Sequence, residues 1–369
     1  MREILSNSEL YRNWREQLSQ LNPDKRYEKY RLTNMLMLVV GLFKAESVHL
    51  SKLARKIPVR ARKNSLVQRL KRFLKNPAIQ VREWYQPVAR QLVQAAASGG
   101  HIRLLVDTTK VGFNHRLLMM AIAYRRRSLP LAWCWVKGSR GHSKTSKQIQ
   151  LLEYVQQLIP KEVEVSLVGD SEFKHTLLME YCDFWEGEYV LRQPGRYVVQ
   201  VYGAKQFQSS DDLPLEPGET RWLGRVVLTE NSAYPTHLGL HWEPGYKQPW
   251  YLATNQPEPR EALQLYRRRM WLEEMYGDLK GHGFDLEASH LRHTARLNRL
   301  TLAVCLLYNW LVATGEQVIH SGRSSEVDRT DRRDLSIFLI GWDFIERRLA
   351  LNDPLSFVLV PSFSKVYGS

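Results

Sequence analysis

Residues 102–137 read IRLLVDTTKVGFNHRLLMMAIAYRRRSLPLAWCWVK, and this stretch decides the fold. Its three apolar runs, IRLLVD, RLLMMAIAYRR and SLPLAWCWVKG, are separated by short turns and predict three strands. Working outward, KQIQLLEYVQQLI (147–159) has helical texture and VEVSLVGD (163–170) is a further strand. Three strands, a helix and a fourth strand form an α/β signature, the helix supplying the crossover that a parallel pairing needs. The first and fourth strands each close on an acid, Asp107 in LLVDTT and Asp170 in SLVGDSEF, followed at once by Thr or Ser. That pattern fits the polar crevice at the carboxyl ends of strands in α/β sheets. Strands side by side would bring the two acids within about 4.8 Å. Such a pair repels itself unless a positive charge intervenes, and magnesium, hard and oxygen-seeking, suits that place. Either Asp alone reads more simply as a turn former or helix cap, so the weight lies on the pair and on a third acid.

The third acid comes from residues 266–280, YRRRMWLEEMYGDLK. At roughly 100° per residue, Tyr266, Arg269, Glu273 and Lys280 fall within an arc of about 60°. Leu265, Trp271, Leu272, Met275, Tyr276 and Leu279 supply an apolar stripe on the other side. Gly277 lies on the polar ridge, and Gly281 is read as stopping the helix. Glu274, about 80° round the wheel, rivals Glu273. With Glu273 added, the three acids would hold two metal ions, and such a pair stabilises both the attacking and the departing oxygen of an in-line phosphoryl displacement. Arg269 and Lys280 would grip flanking phosphates and Tyr266 would donate a further hydrogen bond.

The flanks differ in texture. Residues 1–95 read as helical, and between Ser51 and Asn76 there are ten Lys or Arg and no Asp or Glu. A run so one-sided points to a polyanion lying against it, and Arg60, Arg62, Lys63, Arg69, Lys71 and Arg72 are the candidate DNA contacts. HLSKLARKIP followed by NSLVQRLKRFL has the outline of a helix-turn-helix pair. Residues 196–254 form a Pro-, Gly- and Ser-punctuated β insertion. The catalytic core is thus assigned to 96–195 and 255–320, with a helical segment at 321–369 that would dimerise, cover the core or contact DNA.

The chain of 369 residues carries 53 Lys plus Arg against 38 Asp plus Glu, a net charge of +15, which favours nucleic acid over an acidic membrane surface. The charged opening MREILSNSEL and the absence of a run of about 18 uninterrupted apolar residues predict a soluble, cytoplasmic protein. Cys134, Cys182 and Cys305 show no metal-binding or disulfide spacing and read as reduced core residues. The basic loop GSRGHSKTSK lacks the Walker spacing. His282, His290 and His293 fit no zinc site and read as solvated surface.

The residues Tyr266, Arg269, Glu273 and Lys280 match Y-x2-R-x3-E-x6-K, and together with LLVDTT and VGDSEF the chain resembles the DDE transposases of bacterial insertion sequences, specifically the insertion-sequence-four group, over residues 40 to 310. The resemblance implies an RNase H-like catalytic core, a mixed sheet with flanking helices, joined to an N-terminal helical DNA-binding domain and a β-rich insertion. It implies catalysis and metal binding by Asp107, Asp170 and Glu273, with two Mg²⁺ ions for which Mn²⁺ can substitute. Water would nick the transposon end and the freed 3′-OH would attack target DNA. The implied partner is double-stranded DNA, with a homodimer pairing two ends. Trp250, in PWYLATN, matches a position where some members stack a flipped base, and simple packing in the insertion is the equal alternative; Trp222 and Trp242 are weaker candidates. Two rivals stand beside this reading: an RNase H-like nuclease or resolvase that cuts without joining, and a transposon-derived DNA-binding protein without catalysis. A glycosidase, which also pairs carboxylates, fits the basic charge poorly.

Overall fold

The structure is a computed structural model that describes residues 9–20, 29–112, 114–138, 141–229 and 232–363. Five helices lead the described chain: α1 (Glu9–Gln20), α2 (Lys29–Ala45), α3 (Leu50–Lys56), α4 (Lys63–Lys75) and α5 (Val81–Ala97). The chain then folds as β1 (His101–Val111), β2 (His115–Tyr124), β3 (Arg127–Lys137), α6 (Thr145–Gln156), β4 (Glu164–Gly169), α7 (Thr176–Phe184) and β5 (Glu188–Gln193). β1, β2 and β3 form an antiparallel meander, and α6 carries the chain back so that β4 lies parallel to β1 and β5 parallel to β4. The α/β order read from residues 102–170 is therefore present. The β2–β3 hairpin turns through Arg125 and Arg126, both at positive φ (41° and 63°). Left-handed backbone at both central residues matches the twist of the flanking strands; here it is adopted without the Asn-Gly pair that would signal it.

Residues 196–254 contribute β6 (Val198–Val201), β7 (Gln208–Ser209), β8 (Thr220–Leu228), β9 (Tyr234–His241) and β10 (Trp250–Thr254). They pair antiparallel among themselves, as expected, and β10 also pairs antiparallel with β5. The result is one ten-stranded sheet, ordered β3-β2-β1-β4-β5-β10-β9-β8-β6-β7. The insertion extends the central sheet across its β5 edge, which covers a row of unpaired backbone groups that would otherwise be open to other chains.

Four helices follow: α8 (Pro259–Arg267), α9 (Met270–Leu279), α10 (Thr294–His320) and α11 (Ile337–Leu351). α10 packs against β3, α2, α4, α5 and α11. It is long and apolar enough to cross a membrane by length and composition, but 89% of its apolar window is buried inside the protein. One apolar cluster runs from Leu10 to Leu359 and takes residues from all four segments expected from the sequence, so they share a core.

The C-terminal segment covers that core. At the crossing of α10 and α11, a Cβ on Gly315 would lie 1.8 Å from the Ile337 carbonyl oxygen, and one on Gly341 would lie 1.9 Å from that of Leu311. Only glycine allows the two backbones this close. Beyond α11, Phe357 packs on Trp14 and Trp310, each with ring centroids 4.8 Å away, and Tyr124 donates a 2.8 Å hydrogen bond to the Ser362 carbonyl. Gly341→Ala is expected to lower unfolding free energy by about 1–3 kcal/mol or more, because neighbouring backbone must move. A urea unfolding curve superimposable on the wild type would show that the crossing relaxes freely.

Candidate catalytic site and nucleic-acid surface

The register of β1 with β4 pairs Val106 with Gly169, so Asp107 on β1 and Asp170, the residue after β4, come next to each other. One detail differs from the sequence reading: Asp107 does not close its strand. β1 runs on to Val111, paired with β2 alone, because β4 ends at Gly169 while β2 continues. Asp107 is 8% exposed and its Oδ1 accepts the Thr108 N–H at 2.6 Å. Asp170 caps the short turn Ser171–Phe173, its Oδ1 accepting the Glu172 N–H at 2.8 Å. Burial, then the neighbouring Asp170 charge, pushes the Asp107 carboxyl up to about 7, against the pull of Arg269 and the Thr108 N–H. Burial likewise raises Asp170. The charge of Asp170 thus reaches the buried Asp107, as expected of like charges at neighbouring positions.

The expected single helix over 266–280 is two helices, α8 and α9, broken at Arg268–Arg269. The residues at the break keep right-handed helical backbone, so the ridge survives the interruption. Arg269 Nη1 lies 3.6 Å from Asp107 Oδ2 and 2.6 Å from Glu273 Oε1. Burial disfavours its charge, but Tyr266 and the acids Glu273, Asp107 and Asp170 together raise its pKa. Arg269 thus faces the acids, where the sequence reading aimed it at phosphates. Glu274 points elsewhere, to Arg127 at 3.2 Å, and Arg127 also holds the buried Asp278 at 2.7 Å. Of the two adjacent glutamates, Glu273 is the one joined to the aspartates. Gly277 leaves room for His282, whose N–H bonds to the Gly277 carbonyl at 3.1 Å.

The remaining ridge residues are held by the protein itself. Lys280 Nζ donates to Thr109 Oγ1 at 2.7 Å and lies 3.7 Å from Glu287. Tyr266 is buried, and burial raises its phenol pKa. Trp250 is 5% exposed, enclosed by His241, Tyr246 and Tyr266 with ring centroids at 5.5, 5.3 and 5.0 Å. In this structure Trp250 is packed among three rings of the protein, as its packing alternative describes. Trp222 lies over Gly239 and stacks on His237, and Trp242 donates to the Tyr246 carbonyl. The sequence reading missed Tyr276, which it put in the apolar stripe. Its hydroxyl donates to the Asp107 carbonyl at 2.8 Å, so the stripe's one buried phenol ties α9 to the strand that carries the first acid.

On the N-terminal helices, α4 buries Leu66, Leu70, Phe73 and Leu74 and leaves Lys63, Lys71, Arg72 and Lys75 exposed. Arg60 and Arg62 are exposed in the connection before it. Arg69 is turned back onto Asn34 Oδ1 at 2.5 Å and is half-buried, so it is the exception among the six expected contacts. α3 and α4 pack against each other and on α2. In the basic loop, residues 139 and 140 lie outside the described residues; His282, His290 and His293 are exposed, as expected.

Among the described residues, no group of three or more His, Cys, Asp or Glu is set close enough to hold a metal ion. Arg269 lies beside the three acids expected to share metal, paired with Asp107 and Glu273 and felt electrostatically by Asp170, and its single charge offsets only part of theirs. The donor chemistry nonetheless fits a hard divalent cation: every donor is a carboxylate oxygen, and Asp107 is raised toward neutrality by burial beside Asp170. A charge of opposite sign is what this arrangement lacks beyond the single arginine.

A sheet that brings a buried and a half-buried carboxylate to neighbouring positions, meets a third acid on a helix and belongs to a chain of net charge +15 is the frame of an enzyme that moves phosphoryl groups on nucleic acid. A family model described as Transposase DDE domain matches residues 100–310, over half the chain, and the chain belongs to that family. It is a DNA-cleaving transposase enzyme, of a family that uses divalent metal ions. The fold is also similar to a piggyBac transposase in a synaptic complex with hairpin DNA, solved by cryo-EM, at 9% identity and a TM-score of 0.40 over 95% of this chain and 81% of that one. Among curated proteins, none matches. For Trp250, the expectation is structural: Trp250→Ala should cost about 3–5 kcal/mol, read by chemical denaturation. A stability within 1 kcal/mol of wild type, with transposition lost, would return the residue to DNA.

Proposed function

We propose that this transposase belongs to the insertion-sequence-four group, binds the terminal inverted repeats of its element, cleaves there and joins the freed 3′-OH ends to target DNA as a homodimer on an RNase H-like core. The strand order β3-β2-β1-β4-β5, with β1, β4 and β5 parallel, supports the core assignment. The observation that carries the chemistry is the register that makes Asp107 and Asp170 neighbours, with Arg269 reaching from Asp107 to Glu273. Asp107, Asp170 and Glu273 would hold two Mg²⁺ or Mn²⁺ ions, which supply Lewis acidity at the scissile phosphate and activate the attacking hydroxyl.

The chain's own residues do the positioning. Tyr276 anchors Asp107 through its carbonyl, and the Thr108 and Glu172 N–H groups orient the two aspartates. Once the acids are neutralised, Arg269 is released to a flanking phosphate, for which its planar fork is suited. Lys280, held by Thr109 beside the same strand, supplies a second positive charge near the path of the backbone.

Asp107→Asn, Asp170→Asn and Glu273→Gln are each expected to abolish cleavage of element-end DNA in Mg²⁺ or Mn²⁺ while DNA binding persists, whereas Glu274→Gln keeps cleaving. Near-normal cutting by any of the first three removes that residue from the site. Resolving nicked, hairpin and joined products separates strand transfer from simple nuclease action.

The exposed cations of α4 and its leading connection would lie along DNA. Replacing Lys63, Lys71 and Arg72 together by Ala should flatten the plot of log binding constant against log salt by about 2–3 units, at roughly 0.9 per lost phosphate contact. An unchanged slope would mean that this face does not meet DNA.

A further inference from the structure

Glu172, two residues beyond Asp170, lies outside the three acids and the ridge, yet its carboxylate gathers donors from three separate segments. Its Oε1 accepts the Thr108 hydroxyl at 2.9 Å and the Ser143 N–H at 2.7 Å, and also takes the Ser143 hydroxyl. Its Oε2 lies 3.7 Å from Arg116 Nη1 and 3.8 Å from His142 Nδ1. Arg116, itself buried, also donates to the Gly141 carbonyl. Gln148 Nε2 closes the cluster, donating to Ser143 Oγ at 3.0 Å and to the Glu172 carbonyl at 3.4 Å. The carboxylate therefore joins the residue after Asp107, the turn capped by Asp170 and the loop 141–144 that leads into α6.

Glu172 is an odd choice if packing were the only need. It is 9% exposed, and its charge raises Asp170, adding to the repulsion already present between the aspartates. A buried carboxylate with this many donors is costly to leave unpaired, and apolar packing would hold the same turn without added negative charge. What lies against the open side of the carboxylate, in the turn that Asp170 caps, is His142, whose Nδ1 is 3.8 Å from Oε2 and whose side chain is 60% exposed. Lys144, two residues on, is exposed as well.

We propose that Glu172 is a positioning residue for DNA cleavage. By fixing loop 141–144 to the aspartate floor it sets His142 at the rim beside Asp170, where His142 meets a phosphate of the cleaved strand. The proposal rests on the reading of Asp107 and Asp170 as the reacting centre. Displacements on the order of 1 Å near reacting atoms can cost about 10²-fold in rate, so loosening the loop should act on turnover before it acts on affinity.

The test uses the full chain with a supercoiled plasmid carrying the ends that flank this gene, in Mn²⁺, and compares wild type, Glu172→Gln, Glu172→Ala, His142→Gln and Asp107→Asn. Glu172→Gln keeps an oxygen for Thr108 and Ser143 but loses the attraction to Arg116 and His142, so about tenfold slower nicking is expected, against about 10²-fold for Glu172→Ala. Plasmid affinity should stay within about twofold of wild type in both. His142→Gln should slow nicking comparably to Glu172→Gln. Amide hydrogen exchange over 141–148 should rise in Glu172→Ala and remain unchanged elsewhere in the sheet. Unchanged exchange there overturns the proposal whether or not any variant cuts. So does a Glu172→Ala protein that nicks at the wild-type rate, or that loses affinity and stability in parallel with rate. Wild-type nicking by Asp107→Asn would instead sink the underlying assignment of the reacting centre, independently of Glu172.

Discussion

Two carboxylates brought to neighbouring positions by one strand pairing are the constraint around which the rest of this protein is arranged. The parallel pairing of β1 with β4 ends with Val106 opposite Gly169, so Asp107 and Asp170 come next to each other, and the burial that makes them responsive to a cation also makes them expensive to ionise. Each acid is given a backbone N–H, and both feel one arginine. That β1 outlasts β4 matters here: past Val106 it is still paired with β2, so Asp107 sits on continuous strand instead of on a loop. A site on a strand paired along one side is held more closely than a site on a turn, which suits chemistry sensitive to small displacements.

The third acid faces Arg269, and through it Asp107, because of how α9 is pinned. Tyr276 bonds it to β1 at the Asp107 carbonyl, while Arg127 on β3 takes both Glu274 and Asp278. Those two anchors lie on different strands and fix the rotation of the helix about its own axis. With that rotation set, Glu274 is turned to β3 and Glu273 to Arg269 and Asp107. The break between α8 and α9 has a counterpart in packing: α8 lies on β4, β5, β9 and β10, whereas α9 lies on β1, β2 and β3. One straight helix could not follow both parts of a twisting sheet.

Much of this was legible in the amino-acid order. Strand runs bounded by turns gave the meander, and the two Asp-terminated runs did prove to be parallel neighbours, because hydrophobic pattern and crossover length restrict the pairing. The helical ridge put Arg269 and Glu273 on one face, although Tyr266 on the same line is buried. What escaped were facts set by distant partners. Nothing local says that β1 continues past Asp107, since that depends on β2 being longer than β4. Nothing in PWYLATN reveals that Trp250 is enclosed, because Tyr246 comes from the connection before its strand and Tyr266 from the helix after it. Arg69 reads like its basic neighbours until α2 supplies Asn34. The two-arginine hairpin carries none of the residues that favour left-handed backbone, so its turn was visible only as a gap between strands.

The N-terminal helices are tied to the site at two points. Val48 N–H bonds to the Phe284 carbonyl at 2.8 Å, in the segment that follows α9. Arg299 on α10, buried, donates to the carbonyls of Leu74 and Ile79 at 3.0 and 3.1 Å, clamping the end of α4 and the turn after it. α4 cannot swing without breaking bonds to a buried guanidinium, whose burial already lowers its pKa and makes an unpaired state costly. On the proposed function, DNA that lies along the basic face is therefore held at a set offset from the aspartates. Binding energy collected on α4 can then be spent on orienting the phosphate that reacts, as remote contacts do when the frame between them is stiff. A flexible tether between the two would give the same affinity and lose that advantage, so the buried arginine clamp connects where the DNA binds to what happens to it.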